Sequence, residues 1–268
     1  MLKALPDFIR ISRMLKKLLM NKKILIDSYG SGPPLVLLHG WGMNATVFQP
    51  LIPLLAGKFE LHFVHLPGYG GSQFTIEFDQ QIESLAEELP PAILLGWSMG
   101  GLYACALAGA FPQKFSELIL VAFNPCFVER DAWSCAVSSQ VFNQFSDDLR
   151  AGWRATINRF LTLQMLGVDN ARTLVRELTS LLFQIGEPQA EVLQAGLELL
   201  LHHDARQEIA KLKLPVKLIL GERDSLVPVS LATEIVHLNS RIQVKCLAGA
   251  AHAPFLSHPQ EFVEAITN

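Results

Sequence analysis

The sequence has few cysteines, no long apolar run and no excess of basic residues. Its four cysteines lie far apart and form no Cys-x-x-Cys pair, which disfavours a zinc site or a disulfide framework and favours a reducing, cytoplasmic location. Proline, glycine or charged residues interrupt every apolar run before the roughly 18 residues that a membrane span requires. A formal charge of -3 leaves no basic field for nucleic acid, so we expect a small substrate.

Residues 1–23 differ from the rest of the chain because they are strongly basic. They carry seven Lys or Arg against one acid, Asp7, interleaved with large apolar residues. Such a segment is typical of a helix that touches a membrane surface or directs targeting. The alternative, which we favour because no continuous apolar stretch follows, is a short helical extension or a start at Met14 or Met20.

The rest of the chain predicts one large α/β domain, since half of the sequence is apolar and 18% is charged. In residues 24–126, short apolar runs alternate with helical patterns, which predicts a mostly parallel sheet flanked by helices. From about 127 to 188 only helix-like stretches occur, so we predict an inserted helical lid. The core pattern resumes in residues 189–268. The helical stretches of the lid are broken at Gly152, Gly167, Asn170 and Gly186.

The predicted elements follow from the period of the apolar residues. Strands are predicted at 24–29, 35–38, 61–66, 92–97, 117–122, 216–220 and 243–247. Helices outside the lid are predicted at 47–55, 79–89, 99–111, 228–237 and 259–266.

Ser98 lies between two glycines in the stretch Gly-Trp-Ser-Met-Gly, after one predicted strand and before an Ala- and Leu-rich helix. A strand, a Gly-x-Ser-x-Gly turn and a helix together predict a nucleophile elbow, in which a strained turn projects the hydroxyl. Side chains in place of Gly96 and Gly100 would collide with the neighbouring strand and helix. An ordinary helix cap would explain Ser98 but not both glycines.

A nucleophilic serine needs a base and an acid that orients it, in the chain order Ser, Asp or Glu, His for such a sheet. Asp224 follows the strand at 216–220, with Glu222 as its nearest rival. An Asx turn before Pro228 is the alternative role for Asp224. His252 follows the strand at 243–247, with His258 as its rival. The joint occurrence of these residues in the right order favours the catalytic interpretation.

The oxyanion of acyl transfer needs two N–H donors. The Met99 N–H at the start of the helix is one candidate, and the Trp41 N–H in the loop after the strand at 35–38 is the other. Gly40 and Gly42 allow the loop to turn. We expect His39 to pack beneath this loop rather than act in catalysis, and Trp41 to line the pocket rather than serve only as a core aromatic.

With these residues assembled, residues 24–268 resemble the α/β-hydrolases, and most closely the pimeloyl-[acyl-carrier protein] methyl ester esterases of biotin synthesis, the BioH family. The elbow and the His-Gly pair are generic to the superfamily, whereas the lid motif and the final motif below are more particular. The motifs are LLHGWGMNA, HLPGYGGS, LGWSMGG, NPCF with RDAW, RFLTLQMLG and AAHAPFLSHP.

The resemblance implies an α/β-hydrolase fold and hydrolysis of a methyl-capped pimeloyl chain on acyl carrier protein, without metal or organic cofactor. It implies a triad of Ser98, Asp224 and His252 and an oxyanion hole at Trp41 and Met99. We also expect a cytoplasmic monomer. The substrate-binding residues would be Trp41, Ser98, Met99, Phe160, Leu161, Thr162, Leu163, Gln164 and His252, with 160–164 lining the acyl channel.

The resemblance also implies that lid arginines dock the acidic carrier, at Arg159, Arg172 and Arg176. Independently, residues 149–176 hold five Arg and one acid, Asp169, and Arg172 and Arg176 share a helix face. An arginine face suits a phosphate- and carboxylate-bearing partner. The alternative is a solvated face with local ion pairs.

Two features depart from the resemblance. His65 stands where the superfamily usually has Asp, and residues 1–23 have no counterpart. Two other functions stay open: a general short-chain carboxylesterase or carbon–carbon bond hydrolase, and a non-catalytic ligand receptor on the same fold.

Overall fold

Seven strands form one sheet in the order β1-β3-β2-β4-β5-β6-β7 in the computed structural model, which describes residues 23–268. Only β1 runs antiparallel to its neighbour, β3, and the other neighbouring pairs are parallel. The predicted sheet is therefore confirmed, while most of the basic extension predicted at residues 1–23 lies outside the described residues. The strands are β1 (Ile26–Gly30), β2 (Pro34–Leu38), β3 (Glu60–Val64), β4 (Ala92–Trp97), β5 (Phe115–Val121), β6 (Val216–Gly221) and β7 (Ile242–Leu247).

Burial explains the sequence of these strands. Residues 35–38 of β2 are fully buried because helices cover both faces of a parallel sheet, so the strand is apolar at every position. At the edge of the sheet, β7 buries only its first and last residues and exposes three of the four between them.

Helices flank the sheet, and the segment predicted as one helix at 47–55 divides into a 3₁₀ helix (Ala45–Leu51) and a short α-helix. The difference arises because Pro50 and Pro53 lack the N–H groups that a continuous α-helix needs. The α-helices are α1 (Ile52–Leu55), α2 (Phe78–Glu88), α3 (Met99–Ala110), α4 (Ser139–Gln164), α5 (Ala171–Phe183), α6 (Ala190–His202), α7 (Arg206–Lys211), α8 (Leu231–Leu238), α9 (Pro254–Ser257) and α10 (Pro259–Thr267).

Helices make up most of the segment between β5 and β6, but residues 127–138, where helix-like stretches were expected, form a loop with isolated bridges between Val128 and Val137 and between Arg130 and Trp133. The predicted breaks fall at a bend of α4 at Gly152, between α4 and α5, and after α5. The division of the chain at residues 126 and 188 stays a prediction. The structure adds that α6, which follows residue 188, packs against α4. In residues 23–268, no helix is both long enough and apolar enough to cross a membrane.

Candidate active site

Ser98 stands between the end of β4 and the start of α3 with φ 55° and ψ -121°. A positive φ is rare outside glycine, so this backbone is strained. A Cβ on Gly96 would lie 2.5 Å from the Gly100 carbonyl oxygen, and one on Gly100 would lie 2.1 Å from the Leu38 oxygen. The Ser98 side chain makes no cap hydrogen bond to the helix. The turn therefore requires both glycines and leaves the hydroxyl available.

The side chains of Ser98, His252 and Asp224 form a hydrogen-bonded chain. Ser98 Oγ lies 2.9 Å from His252 Nε2, and His252 Nδ1 lies 2.8 Å from Asp224 Oδ2. All three residues are buried. Because a carboxylate only accepts, the Nδ1–H donates to Asp224, which leaves Nε2 free to accept the serine proton. The three sequence-predicted residues thus meet in the arrangement that a Ser-His-Asp triad requires.

Asp224 uses its two oxygens differently. Oδ1 accepts the backbone N–H groups of Leu226 at 2.8 Å and Val227 at 3.0 Å, which is the Asx turn considered from the sequence. Oδ2 accepts from His252, so the turn and the hydrogen bond to the imidazole coexist.

The two rival residues are engaged elsewhere. Glu222 Oε2 accepts the Gly249 N–H at 2.8 Å, and His258 Nδ1 lies 2.9 Å from Ser257 Oγ. Within residues 23–268, neither rival is hydrogen-bonded to Ser98, Asp224 or His252.

Two backbone N–H groups flank the serine. Met99 begins α3, so its N–H has no intrahelical acceptor. The Trp41 N–H has no acceptor among the described residues, and a Cβ on the preceding Gly40 would lie 3.2 Å from Ser98 Cβ, which places this loop against the serine. Gly42 takes a positive φ of 70° within the turn. The arrangement can supply two donors to an oxyanion.

His39 lies beneath that loop, fully buried. Its Nδ1–H donates to the Gly40 carbonyl at 2.9 Å, and its Nε2 accepts the Leu66 N–H at 3.1 Å. Burial lowers the pKa of His39 to about 3. The ring is therefore neutral and holds the loop in place.

His65 is also buried, and its Nε2 lies 3.1 Å from Asp27 Oδ2 on the adjacent β1. Hydrogen bonding to His65 lowers the pKa of Asp27. The His65 ring packs directly against Gly70. Only glycine fits at position 70, because a Cβ there would lie 2.0 Å from His65 Nδ1. The departure at His65 therefore links the residue that follows β3 to β1.

An apolar cavity of about 70 Å³ adjoins Ser98. Of the residues predicted to bind substrate, Trp41, Phe160 and Leu163 line it with Ser98. The sequence did not indicate the other walls, which come from the segment before α4, from α4, α6 and the loop after Asp224. Those lining residues are Phe127, Val137, Val141, Phe142, Phe145, Leu197, Leu200 and Leu226.

The other predicted substrate-binding residues lie around the cavity without lining it. Leu161 is buried, and Thr162 is exposed with its hydroxyl donating to Asn158 O. Gln164 is buried and its backbone oxygen accepts the His252 N–H at 3.1 Å. Met99 and Trp41 both approach Gly196 of α6. The indole N–H of Trp41 donates to Leu193 O at 2.8 Å, which fixes that ring against α6.

The lid arginines divide into paired and unpaired side chains. Arg159 is ion-paired with Asp148, Arg154 with Glu187, and Arg150 with Asp147. Arg172 and Arg176 are exposed on α5 and have no acidic partner in the described part of the chain. The alternative of a solvated face with local ion pairs therefore describes the arginines of α4 but not those of α5.

Among residues 23–268, no group of three or more His, Cys, Asp or Glu side chains is placed to hold a metal ion.

Comparison with known proteins decides the family. The alpha/beta hydrolase family model matches residues 35–265. The chain is 40% identical over 248 residues to the pimeloyl-[acyl-carrier protein] methyl ester esterase of Aeromonas hydrophila subsp. hydrophila, covering 91% of this chain and 97% of that protein. The chain belongs to this esterase family within the alpha/beta hydrolases. Its relatives include the esterase of the same name from Xylella fastidiosa strain M12, which is 40% identical over 247 residues, with 90% of this chain and 96% of that protein covered. The resemblance read from the motifs is confirmed.

Solved structures share the fold of this esterase-family member. An esterase from Exiguobacterium antarcticum superposes with a TM-score of 0.81 at 21% identity, covering 91% of this chain and 93% of that one. A bromoperoxidase from Bacillus anthracis gives 0.81 at 19% identity with the same coverage. At such identities the likeness concerns the fold alone, and the predicted α/β-hydrolase fold is confirmed.

Proposed function

We propose that this chain is a serine carboxylesterase that hydrolyses the methyl ester of pimeloyl-acyl carrier protein to pimeloyl-acyl carrier protein and methanol, in biotin synthesis. The observation that supports it most is the hydrogen-bonded chain of Ser98, His252 and Asp224 beside an apolar cavity. Relatives at 40% identity over nearly the whole chain carry the name of that activity.

In the first step, His252 Nε2 takes the Ser98 proton as Oγ attacks the ester carbonyl carbon. The carbonyl oxygen becomes an oxyanion that accepts from the Met99 and Trp41 N–H groups. His252, now doubly protonated, is held by Asp224 Oδ2. It then gives its Nε2 proton to the methoxide oxygen, so methanol departs and the acyl group stays on Ser98.

In the second step, His252 takes a proton from water as the water oxygen attacks the acyl carbon. The same oxyanion site serves again. Collapse of the intermediate breaks the bond to Ser98 Oγ, which recovers its proton from His252. The product is a free carboxylic acid that ionises in solution.

The cavity favours the substrate over the product. A methyl ester and a methylene chain are neutral and apolar, as are the walls contributed by Phe142, Phe160 and Leu197. No cationic side chain lines the cavity among the described residues. A carboxylate formed there would have the Met99 and Trp41 N–H groups as donors but no cation to pair with, and its desolvation is costly, so we expect the product to leave.

We further propose that Arg172 and Arg176 of α5 bind the acidic carrier protein, with Arg159 contributing once its pair with Asp148 opens. The exposed side chains on α5 have no acidic partner in the described chain, so binding would not first have to break an ion pair. Residues 127–188 form the lid in this proposal. The four cysteines, which are all free, agree with work in the cytoplasm, and the expected monomer stays a prediction.

The decisive experiment measures methanol release from pimeloyl-acyl carrier protein methyl ester by the wild type and Ser98→Ala, beside a chain-length series of p-nitrophenyl esters. We expect turnover of the carrier ester that Ser98→Ala abolishes. Turnover that persists in Ser98→Ala would remove the nucleophile assignment. Hydrolysis of small esters alone would indicate a general carboxylesterase, and no turnover at all would indicate a receptor.

The carrier surface is tested with Arg172→Glu/Arg176→Glu. We expect a loss of roughly tenfold or more in kcat/KM on the carrier ester and little change on p-nitrophenyl esters. Arg241→Glu is the control, since Arg241 precedes β7, at the opposite end of that strand from His252. Equal loss on both substrates would contradict the docking role.

A further inference from the structure

The end of lid helix α4 is attached to the two loops that carry the acid and the base. Gln164, its last residue, accepts the His252 N–H at 3.1 Å through its backbone oxygen. Three residues later, the Gly167 oxygen accepts from Arg223 Nη1 at 2.6 Å. The Gln164 carbonyl at the helix end has no intrahelical donor, and the Gly167 carbonyl lies in the turn that follows, so both bonds satisfy groups that would otherwise need water.

Arg223 connects three parts of the site. Its backbone N–H donates to Ala250 O at 2.8 Å, two residues before His252, and its peptide continues directly into Asp224. Its guanidinium reaches the lid. A Cβ placed on Gly167, which has a φ of +85°, would lie 3.5 Å from Arg223 Cδ, so the alkyl part of the arginine runs along that turn.

The charge of Arg223 is directed at the lid. It forms no ion pair with an acid in residues 23–268, although Glu222 is adjacent and instead accepts from Gly249. A cation at the carboxyl end of a helix is favoured by the partial negative charge of the last carbonyls. A charged donor also makes a stronger hydrogen bond than a neutral one.

We propose that Arg223 is a positioning residue that couples the end of the lid to the geometry of the Asp224–His252 pair. Its side chain holds the lid end, while its backbone holds the His252 loop and the acid. When the lid end moves away, Arg223 and the His252 N–H lose their acceptors together. The kinetic consequence rests on the proposed ester hydrolysis, whereas the structural coupling does not.

The kinetic test compares Arg223→Met, which keeps the apolar stem, with Arg223→Lys, which keeps one donor, and with Arg241→Met as the control. The assay is hydrolysis of p-nitrophenyl butyrate. We expect kcat of Arg223→Met to fall about tenfold with KM within about twofold, because the pair is misplaced while no residue that lines the cavity is substituted. Arg223→Lys should recover most of kcat. Wild-type kcat in Arg223→Met, or no recovery in Arg223→Lys, would overturn the proposal.

Hydrogen exchange of the His252 amide is the second readout and needs no enzymatic activity. We expect this amide to exchange at least about fivefold faster in Arg223→Met than in Arg241→Met, with core amides of β4 unchanged. A wild-type rate at His252, or equal acceleration at every amide, would overturn the coupling. If the wild type fails to release methanol from the carrier ester while His252 exchange responds as expected, the proposed function fails and the coupling stands.

Discussion

Asp224 supports both the loop and the imidazole, and two substitutions separate these contributions. Asparagine retains an oxygen for the Leu226 and Val227 N–H groups but cannot hold the imidazole in the same tautomer. We therefore expect Asp224→Asn to lower kcat by about 10³ to 10⁴ with little loss of stability. Asp224→Ala should lose similar activity and about 1–2 kcal/mol of unfolding free energy. Urea denaturation and ester kinetics on both variants provide the check, and equal stability of the two variants would contradict the separation.

His39 makes stability depend on pH. Its pKa of about 3 in the folded protein lies below the ordinary value of 6.5, because the ring is fully buried. As pH falls through 6.5 the unfolded chain takes up a proton that the folded chain does not, so stability is lost with falling pH. His39→Gln removes this effect. Between pH 8 and pH 5 we expect the wild type to lose about 2 kcal/mol more than the variant.

Urea midpoints at both pH values measure the difference. His237→Gln, at an exposed position on α8, is the control and should behave as the wild type does. A pH dependence in His39→Gln as steep as in the wild type would show that another group is responsible.

Single residues of the site differed in how well the sequence indicated them. Ser98, Asp224 and His252 were predicted because each follows a strand, in the order that such a sheet requires, and the structure places them within hydrogen-bonding distance. Trp41, Phe160 and Leu163 were predicted to line the cavity and do so, whereas other walls, such as Phe142 and Leu197, were not predicted. Their apolar side chains follow the same pattern as core residues, and only the three-dimensional packing turns them towards Ser98.

We expect alanine to change stability in opposite directions at two glycines of α3, the helix that begins at the elbow. A Cβ on Gly100 would lie 2.1 Å from the backbone oxygen of Leu38, which β2 holds in place. A Cβ on Gly109, near the exposed end of α3, meets nothing within 4 Å. We expect Gly100→Ala to cost more than about 3 kcal/mol or to prevent folding. Gly109→Ala should raise stability by roughly 0.5–1 kcal/mol. Thermal unfolding of both variants checks this pair, and a stable Gly100→Ala would contradict the tight elbow.

Helices and strands were predicted best where the spacing of apolar residues matches the positions that the fold buries. The strand predicted at 92–97 coincides with β4, and the helix predicted at 99–111 ends one residue beyond α3. The 3₁₀ turn at Ala45–Leu51 was not predicted, since its apolar spacing also fits an α-helix. Helix α6 was not predicted either, although Leu193, Leu197 and Leu200 have helical spacing. That signal could have indicated a further wall of the cavity.

The order of the strands depends on contacts that no local pattern contains. Ser98 and His252 are 154 residues apart in sequence, and their hydrogen bond depends on the places of β6 and β7 beside β5 in the sheet. The sequence predicted a mostly parallel sheet but neither its order nor the antiparallel β1. The hydrogen bond between Arg223 and Gly167 could not be predicted from a local pattern either, because its acceptor is a backbone oxygen that any residue would supply.

The charge distribution of the whole molecule predicts how activity responds to salt. The chain carries a formal charge of -3, so it does not attract an acidic carrier overall, and any attraction has to be local. In residues 23–268 the proposed source is the pair Arg172 and Arg176. Exposed charges are screened beyond about 3 Å at 1 M salt and beyond about 10 Å at 0.1 M. We expect kcat/KM on the carrier ester to fall several-fold between about 0.05 and 0.5 M NaCl, mostly through the association rate.

Hydrolysis of p-nitrophenyl butyrate, an uncharged substrate, provides the matched measurement and should change by less than about twofold over the same range. In Arg172→Glu/Arg176→Glu, the salt dependence on the carrier ester should flatten or reverse, because added salt then screens repulsion instead of attraction. A salt dependence that is the same for both substrates would mean that salt acts on the fold or on the buried site. The same steep dependence in the charge-reversed variant would place carrier binding on another face of the molecule.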